Sequence, residues 1–106
     1  MLSDTDKKRY QSQADVVQSL AHPLRLALVD HLQHGDCCVQ DLADHLGAER
    51  SNVSRHLSIL LHSGIVQSRK QGVQVFYSLR TPCILNFLTC ATSVIRQSVE
   101  DQAQLL

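Results

Sequence analysis

The sequence predicts a mainly α protein carrying one β-hairpin, and three observations lead there. Apolar residues recur at helical spacing through most of the chain. The four glycines and two prolines fall almost only between those periodic stretches. Two strand-like runs, Ile65–Lys70 and Val73–Leu79, flank Gly72.

Each element has a local reason. Residues 1–13 are expected as a mobile N-terminal arm. It overlaps a first helix over residues 5–20, with Ala14, Val17 and Leu20 on one side. Pro23 suits the first position of a second helix over 23–33, with His22 as its N-cap and Leu24, Leu28 and Leu32 as its buried stripe. A short third helix, VQDLADHL, covers 39–46, and a fourth, SNVSRHLSILLHS, covers 51–63. Gly35, Gly47 and Gly64 stand where C-cap glycines belong. Gly72, within KQGVQ, reads as the hairpin turn. In the second strand Val73, Val75 and Tyr77 alternate with Gln74, Phe76 and Ser78, so it is only partly two-faced. Pro82 opens a last helix over 82–100, with Thr81 as N-cap.

At 106 residues the whole chain is expected to be one domain, and 43% hydrophobic with 19% charged residues is a globular balance, not a disordered one. No apolar run approaches the ~18 residues of a membrane span, so no membrane partner is expected. The N-terminal segment MLSDTDKKRYQSQAD lacks an apolar signal core, which leads to a cytoplasmic expectation. Ten basic and ten acidic residues cancel, which excludes a uniformly basic protein. The distribution is uneven, however. Arg50, Arg55, Arg69, Lys70, Arg80 and Arg96 follow one another with no acid between them, while all ten acids lie elsewhere. A one-sided basic segment in a neutral chain suggests a local polyanion-binding face.

The third and fourth helices are joined by GAER, and Leu42, Ala43 and Leu46 are placed to pack against Val53, Leu57 and Leu60. That is the pattern of a helix-turn-helix. Its second helix opens with Arg50, Ser51, Asn52, Ser54 and Arg55, hydrogen-bonding groups suited to base edges and phosphates in a major groove. His56 stands beside them, either touching DNA or packed inside. The hairpin follows at once, with Arg69, Lys70 and Gln71 expected at its tip, which is the layout of a winged helix. A winged helix that binds protein in place of DNA is the competing reading. Steep salt dependence on duplex DNA separates the two.

The stretches LAHPLRLALVDHL and VQDLADHLGAERSNVSRHLSILLHSGIV, followed by a hairpin ending VFYSL, resemble the ArsR/SmtB family of bacterial metal-responsive repressors over roughly residues 14–96. The resemblance implies a winged helix-turn-helix that dimerises through its first and last helices. It implies a repressor on a near-palindromic operator, needing no cofactor to bind DNA and leaving when an inducer binds. Ser51, Asn52, Ser54 and Arg55 match the family's contact positions. The last helix supports a homodimer independently: Ile84, Leu85, Phe87, Leu88, Ala91, Val94 and Ile95 make more apolar face than one small domain covers.

Four cysteines, Cys37, Cys38, Cys83 and Cys90, are the candidate sensing residues. The family's metalloid site lies in a pattern like ELCVCDL, and this chain has DCCVQDL. Cys38 matches the first family cysteine and Gln40 replaces the second. Adjacent thiols suit a thiophilic ion such as As(III), Sb(III) or a soft divalent metal, with His34 and Asp36 near enough in sequence to complete a zinc site. The family's other site, of carboxylates and histidines on the last helix, corresponds here to Thr81, Cys83, Val94 and Gln97, which cannot make it. Cys83 and Cys90 are about 10 Å apart along a helix, too far for one ion within a chain. Cys83 could meet Cys90 of a second chain, or Cys37 or Cys38.

Two sensing readings follow: release by a thiol-bound metalloid or soft metal, or a switch by cysteine oxidation or reactive sulfur. No carboxylate pair, Ser/His/Asp arrangement or phosphate-binding glycine loop is present, so no enzyme is expected.

Overall fold

The computed structural model describes residues 1–105. Within them the order is α1 (Asp4–Leu20), α2 (Pro23–Leu32), β1 (Cys37–Cys38), α3 (Val39–Leu46), α4 (Arg50–Ser63), β2 (Val66–Gln71), β3 (Gln74–Leu79) and α5 (Ile84–Leu105). The sheet runs β1-β3-β2, antiparallel throughout. This is the winged helix-turn-helix expected, with one strand more.

The helix ends follow the local chemistry. Ser3 Oγ accepts a hydrogen bond from the Asp6 amide at 3.1 Å and caps α1, with Asp4 and Asp6 in its first turn. His22 caps α2 through Nδ1, which accepts from the Leu24 amide at 3.1 Å, and Pro23 follows at the first helical position. Gly47 and Gly64 close α3 and α4 in the left-handed conformation, with φ of 62° and 85°. At the end of α2 it is Gln33 that caps, and Gly35 comes two residues later.

The core is small and aliphatic. Leu20, Leu28, Val29, Leu32, Leu42, Ala43, Val53, Leu57, Leu60, Ile65 and Val66 form one buried cluster, with Leu24 and Leu46 at its margin. The α3–α4 packing expected from the sequence is therefore present. Residues 4–18 of α1 are almost all exposed, so the stretch expected as an arm is helical from Asp4 onward. Beyond Leu88, which packs on the core, the described side chains of α5 are exposed as well. These two helices spread the molecule to 54 × 44 × 21 Å, with a radius of gyration of 16.7 Å. A compact chain of this length has about 13 Å.

Three local expectations change. Thr81 does not cap α5: its hydroxyl donates to the Gly64 carbonyl at 3.2 Å, tying the wing's exit to the end of α4. The last helix accordingly begins at Ile84, and Pro82 and Cys83 lie in the turn before it. Val73 leaves the strand for the turn. Gly72 has φ of 64° and Val73 has no positive φ, which is the two-residue hairpin with glycine at its first central position.

Candidate nucleic-acid interface and thiol positions

Helix α4 divides cleanly by face. Val53, His56, Leu57 and Leu60 are buried at spacings of three and four residues. Arg50, Ser51, Asn52, Ser54 and Arg55 are exposed on the other side. Arg55 donates through Nη2 to Asn52 Oδ1 at 3.3 Å, so cation and amide are presented together. Arg50 borders a pocket of about 290 Å³ with Cys38, Gln40 and Gln74, which brings the starts of α3 and α4 against the wing. Gln74 was not singled out by sequence, because its place beside Arg50 depends on the hairpin folding back.

His56 is not part of the exposed face. It is 6% exposed and its ring lies 4.2 Å from that of His22. Burial above all, then the nearby His22, Arg55 and Arg25, hold its imidazole below the usual histidine range. Its Nδ1 and the Nε of Arg25 are both buried without a hydrogen-bond partner among the described residues.

In the wing, Lys70 and Gln71 are exposed, but they lie within β2, and the tip is Gly72–Val73. Arg69 is engaged. Its Nε and Nη2 both reach Asp36 Oδ2 at 3.2 Å, its Nη1 donates to Gln71 Oε1 at 2.7 Å, and its guanidinium stands 5.0 Å from the Phe76 ring centre. Asp36 was a suggested zinc ligand, and here it is the partner of a wing cation.

The adjacent cysteines form β1. Cys37 pairs with Tyr77 and Cys38 with Phe76. Successive residues of a strand point to opposite faces, so the two thiols do not converge on one ion while β1 is paired. Cys38 is buried and Cys37 half-buried. Burial, with Asp41 and Cys38 close by, pushes the Cys37 thiol up. Cys83 and Cys90 are exposed and, like the other two, free. Among the described residues no three His, Cys, Asp or Glu side chains are arranged to hold a metal ion. Three histidine rings lie near one another, His31 at 4.8 Å from His45 and 6.1 Å from His34.

A family model, the arsR family of bacterial regulatory proteins, matches residues 22–68, from the cap of α2 into the wing. An uncharacterised helix-turn-helix transcriptional regulator of Mycobacterium tuberculosis, Rv0081, is 32% identical over 98 residues, spanning 92% of this chain and 86% of that one. The chain belongs to the arsR family.

Solved structures share its fold. The transcriptional repressor BigR from Xylella fastidiosa is 30% identical, with a TM-score of 0.73 over 89% of this chain and 96% of that one. NolR from Sinorhizobium fredii has a TM-score of 0.80 at 26% identity, covering 89% and 94%. This ArsR-family chain is thus a transcriptional regulator of the repressor type with a winged-helix DNA-binding fold. No helix of the described residues is long and apolar enough to cross a membrane.

Proposed function

We propose that the chain works as a homodimer that reads a near-palindromic operator with α4 and the wing, and leaves it when an inducer binds its thiols. The observation that carries DNA reading is the division of α4: Arg50, Ser51, Asn52, Ser54 and Arg55 are free to meet a groove while Val53, Leu57 and Leu60 anchor the helix. Lys70 and Gln71 extend the contact along the wing. The dimer reading rests on an apolar groove of about 530 Å³ between α1, α2 and α5, lined by Val17, Leu26, Phe87, Leu88 and Ile95. Exposed Val94 and Val99 continue it.

The inducer is read as arsenite, antimonite or a soft divalent metal. Because Cys37 and Cys38 face opposite ways, such an ion must unpair β1 or draw ligands from Cys83, Cys90 or the second chain. Unpairing β1 disturbs β3, the inner strand of the wing sheet, which gives the ion a route to the DNA-binding surface. The ion then favours the conformer with lower DNA affinity. A second reading, oxidation or reactive-sulfur modification, is favoured by the exposure of Cys83 and Cys90.

The test is fluorescence anisotropy of the reduced protein on its own upstream DNA, titrated anaerobically with arsenite. Cys37→Ser/Cys38→Ser and Cys83→Ser/Cys90→Ser variants run beside it. Stoichiometric release, lost in one variant, supports the metalloid reading. DNA binding that arsenite leaves unchanged and a reversible oxidant abolishes supports the second. A chain that shows no salt-dependent binding to duplex DNA is a protein-interaction module.

A further inference from the structure

The stretch from Arg50 to Arg96 is free of acids only in sequence. In the fold an acid arrives from outside it. Asp36 precedes β1, and the pairing of Cys38 with Phe76 sets β1 beside β3, whose Phe76 is in turn the partner of Arg69 in β2. Asp36 thereby reaches across the sheet to a residue 33 positions away. Its Oδ2 accepts from Arg69 Nε and lies within ion-pair distance of Nη2, Gln71 accepts from Nη1, and Phe76 underlies the guanidinium. Those N–H groups are the ones an arginine offers to a phosphate.

We propose that Asp36 is an internal competitor for Arg69, standing in for a DNA phosphate and setting how much the wing contributes to duplex binding. Both side chains are about half exposed, at 52% for Arg69 and 43% for Asp36, so the pair exchanges with solvent and with a polyanion. With Asp36 in place the wing offers Lys70 as its free cation among the described residues of β2 and β3. Without it the wing offers two. Asp36 acts here as a positioning residue that tunes affinity and contributes no DNA contact of its own. The inference rests on the DNA-binding reading above.

The test measures binding of the full chain to a defined duplex of about 30 base pairs, without an operator, as a function of salt. Non-specific binding is electrostatic, and each neutralised phosphate adds about 0.9 to the slope of log affinity against log salt. Asp36→Asn is expected to bind more tightly at low salt and to steepen the slope by about one phosphate for each wing engaged, so that per wing it loses roughly threefold more affinity than the native chain between about 50 and 200 mM salt. Arg69→Gln alone should change the slope little, and Arg69→Gln added to Asp36→Asn should cancel the gain. A general effect of removing a negative charge would survive that second substitution. Equal slopes for the native chain and Asp36→Asn overturn the proposal and leave DNA binding standing. A full one-phosphate loss per wing in Arg69→Gln alone also overturns it, because Arg69 would then reach DNA past Asp36. Failure of both the native chain and Asp36→Asn to bind the duplex at low salt overturns the DNA-binding reading itself, and this inference with it.

Discussion

His56 stacks on His22 with ring centroids 4.2 Å apart, and the stack joins the second turn of α4 to the cap of α2. His22 Nδ1 is already committed as the acceptor for the Leu24 amide. A proton on His56 would face His22, Arg25 and Arg55, with no carboxylate among the groups that shift it. The folded state therefore binds fewer protons here than the unfolded chain. The His56 contribution to stability is complete above the unfolded value of 6.5 and is lost as pH falls through the lower folded value. Urea unfolding at pH 7.5 and 5.5 should show lower stability in acid. His56→Phe should flatten that difference while keeping a buried ring. An equal pH effect in both proteins would place the titration elsewhere.

The anchor of the recognition helix is Leu57, which is fully buried in the core cluster. Leu57→Ala should cost about 2–5 kcal/mol in chemical denaturation. DNA affinity should fall with the folded fraction, not with any change in the exposed face. A loss under 1 kcal/mol would mean that α4 is not seated as described.

Gly64 turns the chain from α4 into the wing at φ of 85°. No atom lies within 4 Å of where a Cβ would sit, so Gly64→Ala meets no clash. Strain alone should make the substitution destabilising by about 1 kcal/mol. A neutral result in thermal unfolding would contradict the left-handed cap.

Arg55 is one of two arginines on the exposed face of α4 and stands beside Asn52. Arg55→Ala should weaken operator binding by about 1–3 kcal/mol if the side chain reads a base, or lower the salt slope by about one if it meets phosphate. Titrations at several salt concentrations distinguish the two. No change in either quantity would remove Arg55 from the interface.

Ile95 lines the apolar groove and is 64% exposed on the single chain. Ile95→Asp should convert a dimer to monomers in sedimentation velocity and cost most of the operator affinity, since two half-sites then bind separately. A native chain that sediments as a monomer at micromolar concentration would refute the dimer reading directly.

Much of this was legible because the signals are local. Caps and glycines delimit α2, α3 and α4 to within a residue or two, and the spacing of Val53, Leu57 and Leu60 fixes which face of α4 turns outward. What escaped is nonlocal. β1 has two residues and exists only because β3 lies alongside, and a pair of cysteines carries no strand periodicity. Their opposite facing follows from that pairing, so the adjacent-thiol site fails for a tertiary reason. The burial of His56 comes from His22, on a different helix. The engagement of Arg69 comes from an aspartate 33 residues earlier. Thr81 looked like a cap, yet the nearby carbonyl of Gly64 takes its hydroxyl.

The wing also has an unpaired side. In the sheet order β1-β3-β2, strand β2 lies at the outer margin, and its residues from Gln67 to Gln71 are exposed. An open backbone ladder of this kind invites another strand to zip onto it. Arg69 and Lys70 occupy the middle of that margin. Like charges brought face to face repel, so the cations that suit the wing to a polyanion also keep one wing from adding to the next. Lys70, the cation that Asp36 leaves unpaired, therefore serves this margin twice, drawing in a polyanion and turning away a second wing.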